Sequence, residues 1–215
     1  MSRSGMEKVY VLGDRGVGKT SLIFRFYRDE FLKVRHDKVY CPSTNSSLPV
    51  PVSLPKPFFP GFHEPPVKEV VTAGKQFTLS VWDTTAQDES ERLRPLFYPG
   101  MNVFLLCFSI EIPGSLESIQ EKWHPEMLHH RTSPKIPFIL VGCKSDLRTT
   151  TSSTDASPKF VARWRGEEVA RLIGAVAYIE CSAMTGDGVI AVFETAAEAA
   201  FRPRTTKQRK GCIPF

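Results

Sequence analysis

Gly13-Asp14-Arg15-Gly16-Val17-Gly18-Lys19-Thr20 follows the apolar run Lys8-Val9-Tyr10-Val11-Leu12 and leads into helical spacing over residues 18–28. These eight residues match G-x-x-x-x-G-K-[ST], a glycine turn set between a strand and a helix. Each residue type has a physical task. Glycines let consecutive backbone N–H groups turn inward around phosphate oxygens, and the helix N-terminus adds its partial positive charge. Lys19 is placed to reach the outer phosphates, and the Thr20 hydroxyl is a hard oxygen ligand for Mg²⁺. Residues Gly13 to Thr20, with Ser21 behind them, therefore predict a nucleoside-phosphate site.

Outward from this loop, short β-rich runs alternate with helical patterns. Phe77-Thr78-Leu79-Ser80-Val81-Trp82 alternates with period two, as a half-covered strand does. Val103 to Ser109 and Phe138 to Gly142 are continuous apolar runs of the kind found in parallel strands buried on both faces. Ala177-Tyr178-Ile179-Glu180 reads as a last strand. Leu116, Ile119, Trp123 and Met127 mark one helix face, and Val189, Val192, Phe193, Ala196, Ala197 and Ala200 another. The expectation is an α/β fold with a mainly parallel six-stranded sheet flanked by helices. In such folds ligands sit beyond the carboxyl ends of the strands, so the loops after each strand matter most.

Composition excludes several classes. At 215 residues and 41% hydrophobic, the chain suits one domain with a full core. The formal charge is +5, yet Arg202, Arg204, Lys207, Arg209 and Lys210 supply five positives, so residues 1–201 sum to zero. A neutral body with a basic tail argues against a nucleic-acid-coating domain, and no nucleic-acid partner is expected. No apolar run approaches the length of a bilayer span, and residues 1–5 lack the apolar core of a signal peptide. Cys41, Cys107, Cys143, Cys181 and Cys212 are odd in number and widely spaced, which reads as reduced thiols in an intracellular protein, without a zinc site.

Residues 42–66 break the pattern. They hold Pro42, Pro49, Pro51, Pro55, Pro57, Pro60, Pro65 and Pro66, eight of the chain's 17 prolines. A central strand does not suit a stretch in which so many residues lack an N–H, so it reads as an extended or loose surface insertion. A ligand for a proline-recognition module is the alternative.

Two further segments choose a base. Val141-Gly142-Cys143-Lys144-Ser145-Asp146-Leu147-Arg148 follows a buried strand, and Glu180-Cys181-Ser182-Ala183 follows the last one. With these, the chain resembles the Ras superfamily of small GTPases, and within it the Rho branch. The Rho-like stretches are Trp82-Asp83-Thr84, Arg92-Leu93-Arg94-Pro95-Leu96-Phe97-Tyr98-Pro99, Lys122-Trp123-His124-Pro125-Glu126 and Gly142 to Arg148. The resemblance spans nearly the whole chain except residues 44–70 and 149–163.

It implies the small-GTPase fold over residues 1–201, with GTP/GDP and Mg²⁺ as cofactors. Asp146 would accept from the guanine N1–H and exocyclic amine, a donor pair that adenine lacks. Lys144 and Leu147 would border the base, Ser182 and Ala183 would meet its carbonyl side, and Phe31 would cover its edge. Asp83 would hold Mg²⁺ through water, beside Thr20 and a first-switch hydroxyl, Ser43, with Thr44 as the fallback. Gln87 would orient the attacking water and, with Lys19, form the catalytic set.

Departures from the family pattern are informative. Arg15 stands where the Rho branch has glycine, and a side chain there is expected to obstruct the attacking water, Gln87 or an activator's arginine finger. Ala86 replaces a glycine whose N–H meets the terminal phosphate, Thr85 replaces an alanine, Cys143 replaces an Asn or Thr, and Met184 replaces a lysine. Slow hydrolysis with little response to activators is the expectation. The alternative is a GTPase-deficient binding module held in one nucleotide state, like the Rnd group of the Rho branch, although Gln87 is kept here. A P-loop ATPase or kinase is opposed by Asp146 and Ala183. An insertion that spoils the first switch is a further alternative.

Residues 202–215 form a basic tail ending Cys212-Ile213-Pro214-Phe215, a C-a-a-X pattern in which terminal Phe favours geranylgeranylation of Cys212. Lipid plus basic charge makes an anchor for an anionic membrane, here expected at the cytoplasmic face of the plasma membrane with a cytosolic pool. Partners implied are effectors at the switch loops, exchange factors and activators, in cytoskeletal or polarity signalling.

Overall fold

A computed structural model describes residues 6–30, 33–35, 38–41, 46–49, 65, 67–84, 94–149 and 160–201. Phe31, Ser43, Thr44, Thr85, Ala86, Gln87, most of the proline-rich insertion and the tail with Cys212 lie outside the described residues.

Strands β1 (Met6–Leu12), β5 (Val67–Thr72), β6 (Lys75–Asp83), β7 (Val103–Ser109), β8 (Phe138–Cys143) and β9 (Tyr178–Cys181) form one sheet in the order β5-β6-β1-β7-β8-β9. Every pairing in it is parallel except β5 with β6. Because strand side chains alternate, Val9 and Val11 of β1 enter one core and Tyr10 and Leu12 the other. Helices α1 (Lys19–Arg28) and α6 (Val189–Phe201) cover the first face, where Phe26 stacks on Phe193. Helix α5 (Arg163–Ile173) and a helical run over residues 113–130 cover the second. Strands β7 and β8 are buried along their whole length, as their unbroken apolar sequences demand.

The run over residues 113–130 contains α2 (Pro113–Ser118), a π-helical turn (Ile119–Trp123) and α3 (His124–His130). Within the π turn the His124 N–H bonds the carbonyl of Ile119, five residues back. Pro125 has no N–H to continue the ordinary ladder, so the helix is rewound immediately before it. Leu116, Ile119, Trp123 and Met127 are all buried, as their spacing predicts.

Several local readings differ from the outcome. The last strand is shifted by one residue, to Tyr178–Cys181. The proline-rich stretch is not wholly loose. Strand β4 (Ser46–Pro49) pairs antiparallel with β3 (Lys38–Cys41), which pairs with β2 (Lys33–Arg35). Among the described residues β4 pairs with β3 alone, and Pro49 stands at its end, where proline is tolerated. Strand β5 is largely exposed and helix α5 is polar on balance, and neither is among the runs picked out from the sequence. β5 exposes Val67 and Val71 and takes its place from pairing with β6. Among the described residues no helix is long and apolar enough to cross a membrane.

Candidate functional site: a phosphate loop and a base-recognition edge

The loop Gly13 to Gly18 leaves the end of the central strand β1. Gly13 (φ 144°) lies so close to β7 that a Cβ there would stand 2.1 Å from the Cys107 carbonyl oxygen. Gly18 (φ 115°) precedes α1, which has no side-chain cap on its first turn. Such an uncapped N-terminus is an anion site in the absence of competing oxygens. Arg15 and Gly16 are exposed at the crest of the loop, and Val17 is buried beneath it.

Lys19 is almost fully buried, and its ammonium donates to the carbonyls of Gly13 (2.6 Å) and Asp14 (2.7 Å). It thereby staples the loop across its own mouth. Burial pushes Lys19 below its ordinary pKa, and nearby Asp83 opposes that shift. At the end of β6, beside β1, Asp83 Oδ2 accepts from the Thr20 hydroxyl at 2.6 Å. Burial pushes the Asp83 carboxyl above its usual range, against the Thr20 hydrogen bond and the Lys19 charge. Its other oxygen, Oδ1, is buried with no hydrogen-bond partner. A buried, unsatisfied carboxylate oxygen beside a hydroxyl is a hard-oxygen donor set that fits Mg²⁺. Thr84 secures the turn after Asp83, its hydroxyl donating to the Val11 carbonyl at 2.5 Å.

The second half of the site follows β8 and β9. Lys144 adopts a left-handed conformation (φ 63°), and its ammonium pairs with Glu111 at 3.4 Å. Helix α4 (Asp146–Thr149) begins at Asp146, whose Oδ1 accepts from the Ser182 hydroxyl at 2.5 Å. The Ser145 N–H donates to the Cys181 carbonyl at 3.1 Å, so the loop after β8 is tied to the end of β9. Leu147 and Ala183 are half-buried, and Met184 is about half exposed (48%). Behind this edge Arg148 donates to both oxygens of Glu180 (2.7 and 3.0 Å) and to the Val161 carbonyl. The Tyr178 hydroxyl donates to the same carboxylate at 2.7 Å.

The phosphate loop and the base-recognition edge thus open from the same end of the sheet. A family model described as the Ras family matches residues 8–50 and 61–202. The chain belongs to the Ras family. It is a small GTP-binding switch built on a P-loop, and small GTPases of this family bind GTP and GDP, generally with Mg²⁺, and meet effectors and regulators. In this Ras-family chain the residues fit such a ligand. A divalent cation at Asp83 and phosphate oxygens at Lys19 would each supply the opposite charge that burial withholds.

The structure brings together Gly13, Asp14, Lys19, Thr20 and Asp83 at one pocket, and Lys144, Asp146, Ser182 and Ala183 at its flank. Phe31, Ser43, Ala86 and Gln87 fall outside the described residues, so no geometry attaches to them. Sequence reasoning missed three features. Cys143 does not stand alone in place of an Asn. Its thiol meets those of Cys107 and Cys181 in a buried group of free cysteines just behind Gly18. Hydrogen bonds from Cys107 and then Cys181 hold Cys143 well below the ordinary thiol pKa, and the two donors are raised. The Arg148–Glu180 pair was also missed, since nothing in one dimension links the two. The third feature is a bond from Trp123 to Asp14 (2.8 Å).

Proposed function

We propose that this Ras-family chain is a Rho-like signalling switch with slow intrinsic GTP hydrolysis, anchored to an anionic membrane by its C-terminal tail. The observation that carries the nucleotide reading is the shared opening of the Lys19-stapled loop, the Thr20–Asp83 pair and the Ser182-oriented Asp146. The first two suit a Mg²⁺-bound polyphosphate. The third suits a purine with two adjacent donors, which guanine has. When bound, Mg²⁺ would neutralise charge on the phosphates. Thr20 and Asp83 would hold it, Lys19 would hold the outer phosphates, and Gln87 would orient the attacking water.

Slow turnover is supported by Arg15, whose side chain leaves the exposed crest of the loop. An arginine finger contributes ~10³–10⁵ in rate, and a guanidinium reaching from Arg15 into its seat would exclude it. Ala86 adds to this by restricting the backbone where the branch has glycine. The Rho-like assignment rests on Lys122 to Glu126 and on Gly142 to Arg148. The tail supports membrane attachment through a geranylgeranyl group on Cys212 and five basic residues, each adding ~1 kcal/mol near an anionic leaflet. Cytoskeletal or polarity signalling at the cytoplasmic face of the plasma membrane is the setting this reading implies.

The test is native purification, identification of the bound nucleotide, and single-turnover release of its γ-phosphate. Retained GTP or GDP that excess ATP does not displace supports guanine recognition. Arg15→Gly should speed hydrolysis and restore a response to activators. Wild-type turnover at ordinary family rates, with Arg15→Gly adding nothing, overturns the slow-switch reading. Vesicles of anionic and neutral lipid, with the processed chain and with Cys212→Ser, test the anchor.

A further inference from the structure

Lys122-Trp123-His124-Pro125-Glu126 is a motif that the nucleotide site leaves unused. Its Trp123 is 1% exposed, and its indole N–H donates to Asp14 Oδ1 at 2.8 Å. Asp14 is therefore held twice. Its carbonyl accepts from Lys19 inside the pocket, and its carboxylate accepts from Trp123 outside it. The π turn caused by Pro125 is what rotates Trp123 into this position at the end of Ile119–Trp123.

The chain of contacts continues. The Arg94 guanidinium lies 4.6 Å from the centre of the Trp123 ring, a cation–π geometry. Arg94 Nη1 donates to both oxygens of Glu126 (2.9 and 2.7 Å), and the Tyr98 hydroxyl donates to Glu126 at 2.7 Å. Arg94 opens the 3₁₀ turn Arg94–Phe97, which is where residues 85–93 rejoin the described fold.

We propose that Trp123 is a positioning residue for the bound nucleotide, acting through Asp14 and linking the phosphate loop to the turn Arg94–Phe97. The inference rests on the nucleotide reading above. The indole N–H fixes the carboxylate of Asp14, and with it the direction of the carbonyl that Lys19 grips. Arg94, packed on the same ring and tied to Glu126, joins the turn Arg94–Phe97 to the loop in one packed unit. Displacement of either end is felt at the other through Trp123.

The experiment measures dissociation of a fluorescent guanine nucleotide and the indole ¹⁵N–¹H resonances of the full chain. Trp82, Trp123 and Trp164 give three indole signals, and the one lost in Trp123→Phe is assigned to Trp123. Asp14→Ala removes the acceptor from a partly exposed loop and should speed dissociation roughly tenfold, the worth of one charge-assisted hydrogen bond. Asp14→Asn keeps an acceptor oxygen and should recover most of that loss. Trp123→Phe keeps a ring but no donor and should match Asp14→Ala. The double variant should also stay near tenfold, because both changes remove one bond. The Trp123 indole signal should shift in Asp14→Ala and return toward its place in Asp14→Asn. Equal effects of Asp14→Ala and Asp14→Asn, multiplying effects in the double variant, or an unmoved indole signal overturn the proposal. If Trp123→Phe does not fold, Trp82→Phe and Trp164→Phe assign the remaining indole signal to Trp123, and the two Asp14 variants decide. Failure of the wild type to retain nucleotide overturns the functional reading and the positioning role together. An unmoved indole in a chain that holds nucleotide overturns the positioning role alone.

Discussion

Glu180→Gln isolates one ion pair behind the base-recognition edge and makes its contribution measurable. The Glu180 side chain is 9% exposed and Arg148 is 31% exposed, with a closest approach of 2.7 Å. Burial pushes Glu180 up. The hydrogen bonds from Arg148 and Tyr178, with the charges of Arg148 and Arg163, together outweigh it and hold the carboxyl below its ordinary range. Glutamine keeps one acceptor but removes the charge facing Arg148. Breaking a fully buried pair costs about 3–5 kcal/mol. Arg148 is partly solvated and keeps the Val161 carbonyl, so about 1–3 kcal/mol is expected here. At about 2–4 °C per kcal/mol for a chain of this size, melting should fall by roughly 2–12 °C at neutral pH. The sign with pH follows from linkage. A carboxyl held below its unfolded value adds stability above that value, and this is lost as pH falls through its folded pKa. The gap between wild type and Glu180→Gln should therefore be full near neutrality and close in acid, below the ordinary glutamate value of about 4.3. Thermal melts across that range are the assay. A gap that persists unchanged into acid, or no gap at neutrality, refutes the reasoning.

Other perturbations separate neighbouring effects. Glu126→Ala strips Arg94, which is 3% exposed, of its carboxylate and leaves a buried charge, so a loss of about 3–5 kcal/mol in chemical unfolding is expected. Gly13→Ala meets the Cys107 carbonyl at 2.1 Å, whereas Gly74→Ala, at φ 70°, meets nothing within 4 Å. Melting should show about 1 kcal/mol for Gly74→Ala from left-handed strain alone and clearly more for Gly13→Ala, and equal losses would refute the clash. Cys107, Cys143 and Cys181 should resist alkylation in the folded chain and react together on unfolding, since each is at most 3% exposed. A mass spectrum showing rapid native labelling of Cys143 would contradict that burial.

The phosphate loop was legible because its chemistry is contiguous. Eight adjacent residues carry the glycines, the lysine and the hydroxyl, and the loop's neighbours along the chain are the strand and helix that hold it. The buried strands β7 and β8 were legible for a similar reason, since burial on both faces leaves no polar alternation to obscure them. Edge elements were not. β5 owes its existence to the ladder with β6, and α5 to the face it covers over Tyr178 and Phe138. Their own sequences are too polar to announce them.

By itself the sequence determined the phosphate-binding turn, the buried strands and the two most apolar helix faces, and its resemblance to a known family pointed to Asp146. The first three depend on residues within a few positions of one another, where backbone freedom and local periodicity decide the outcome. Only the tertiary structure decided that Thr20 meets Asp83, that Ser182 orients Asp146, that three thiols stand behind Gly18, and that Trp123 holds Asp14. These contacts join residues 36 to 125 positions apart. They form because parallel strands bring their carboxyl ends, and everything that follows them, to one edge of the sheet.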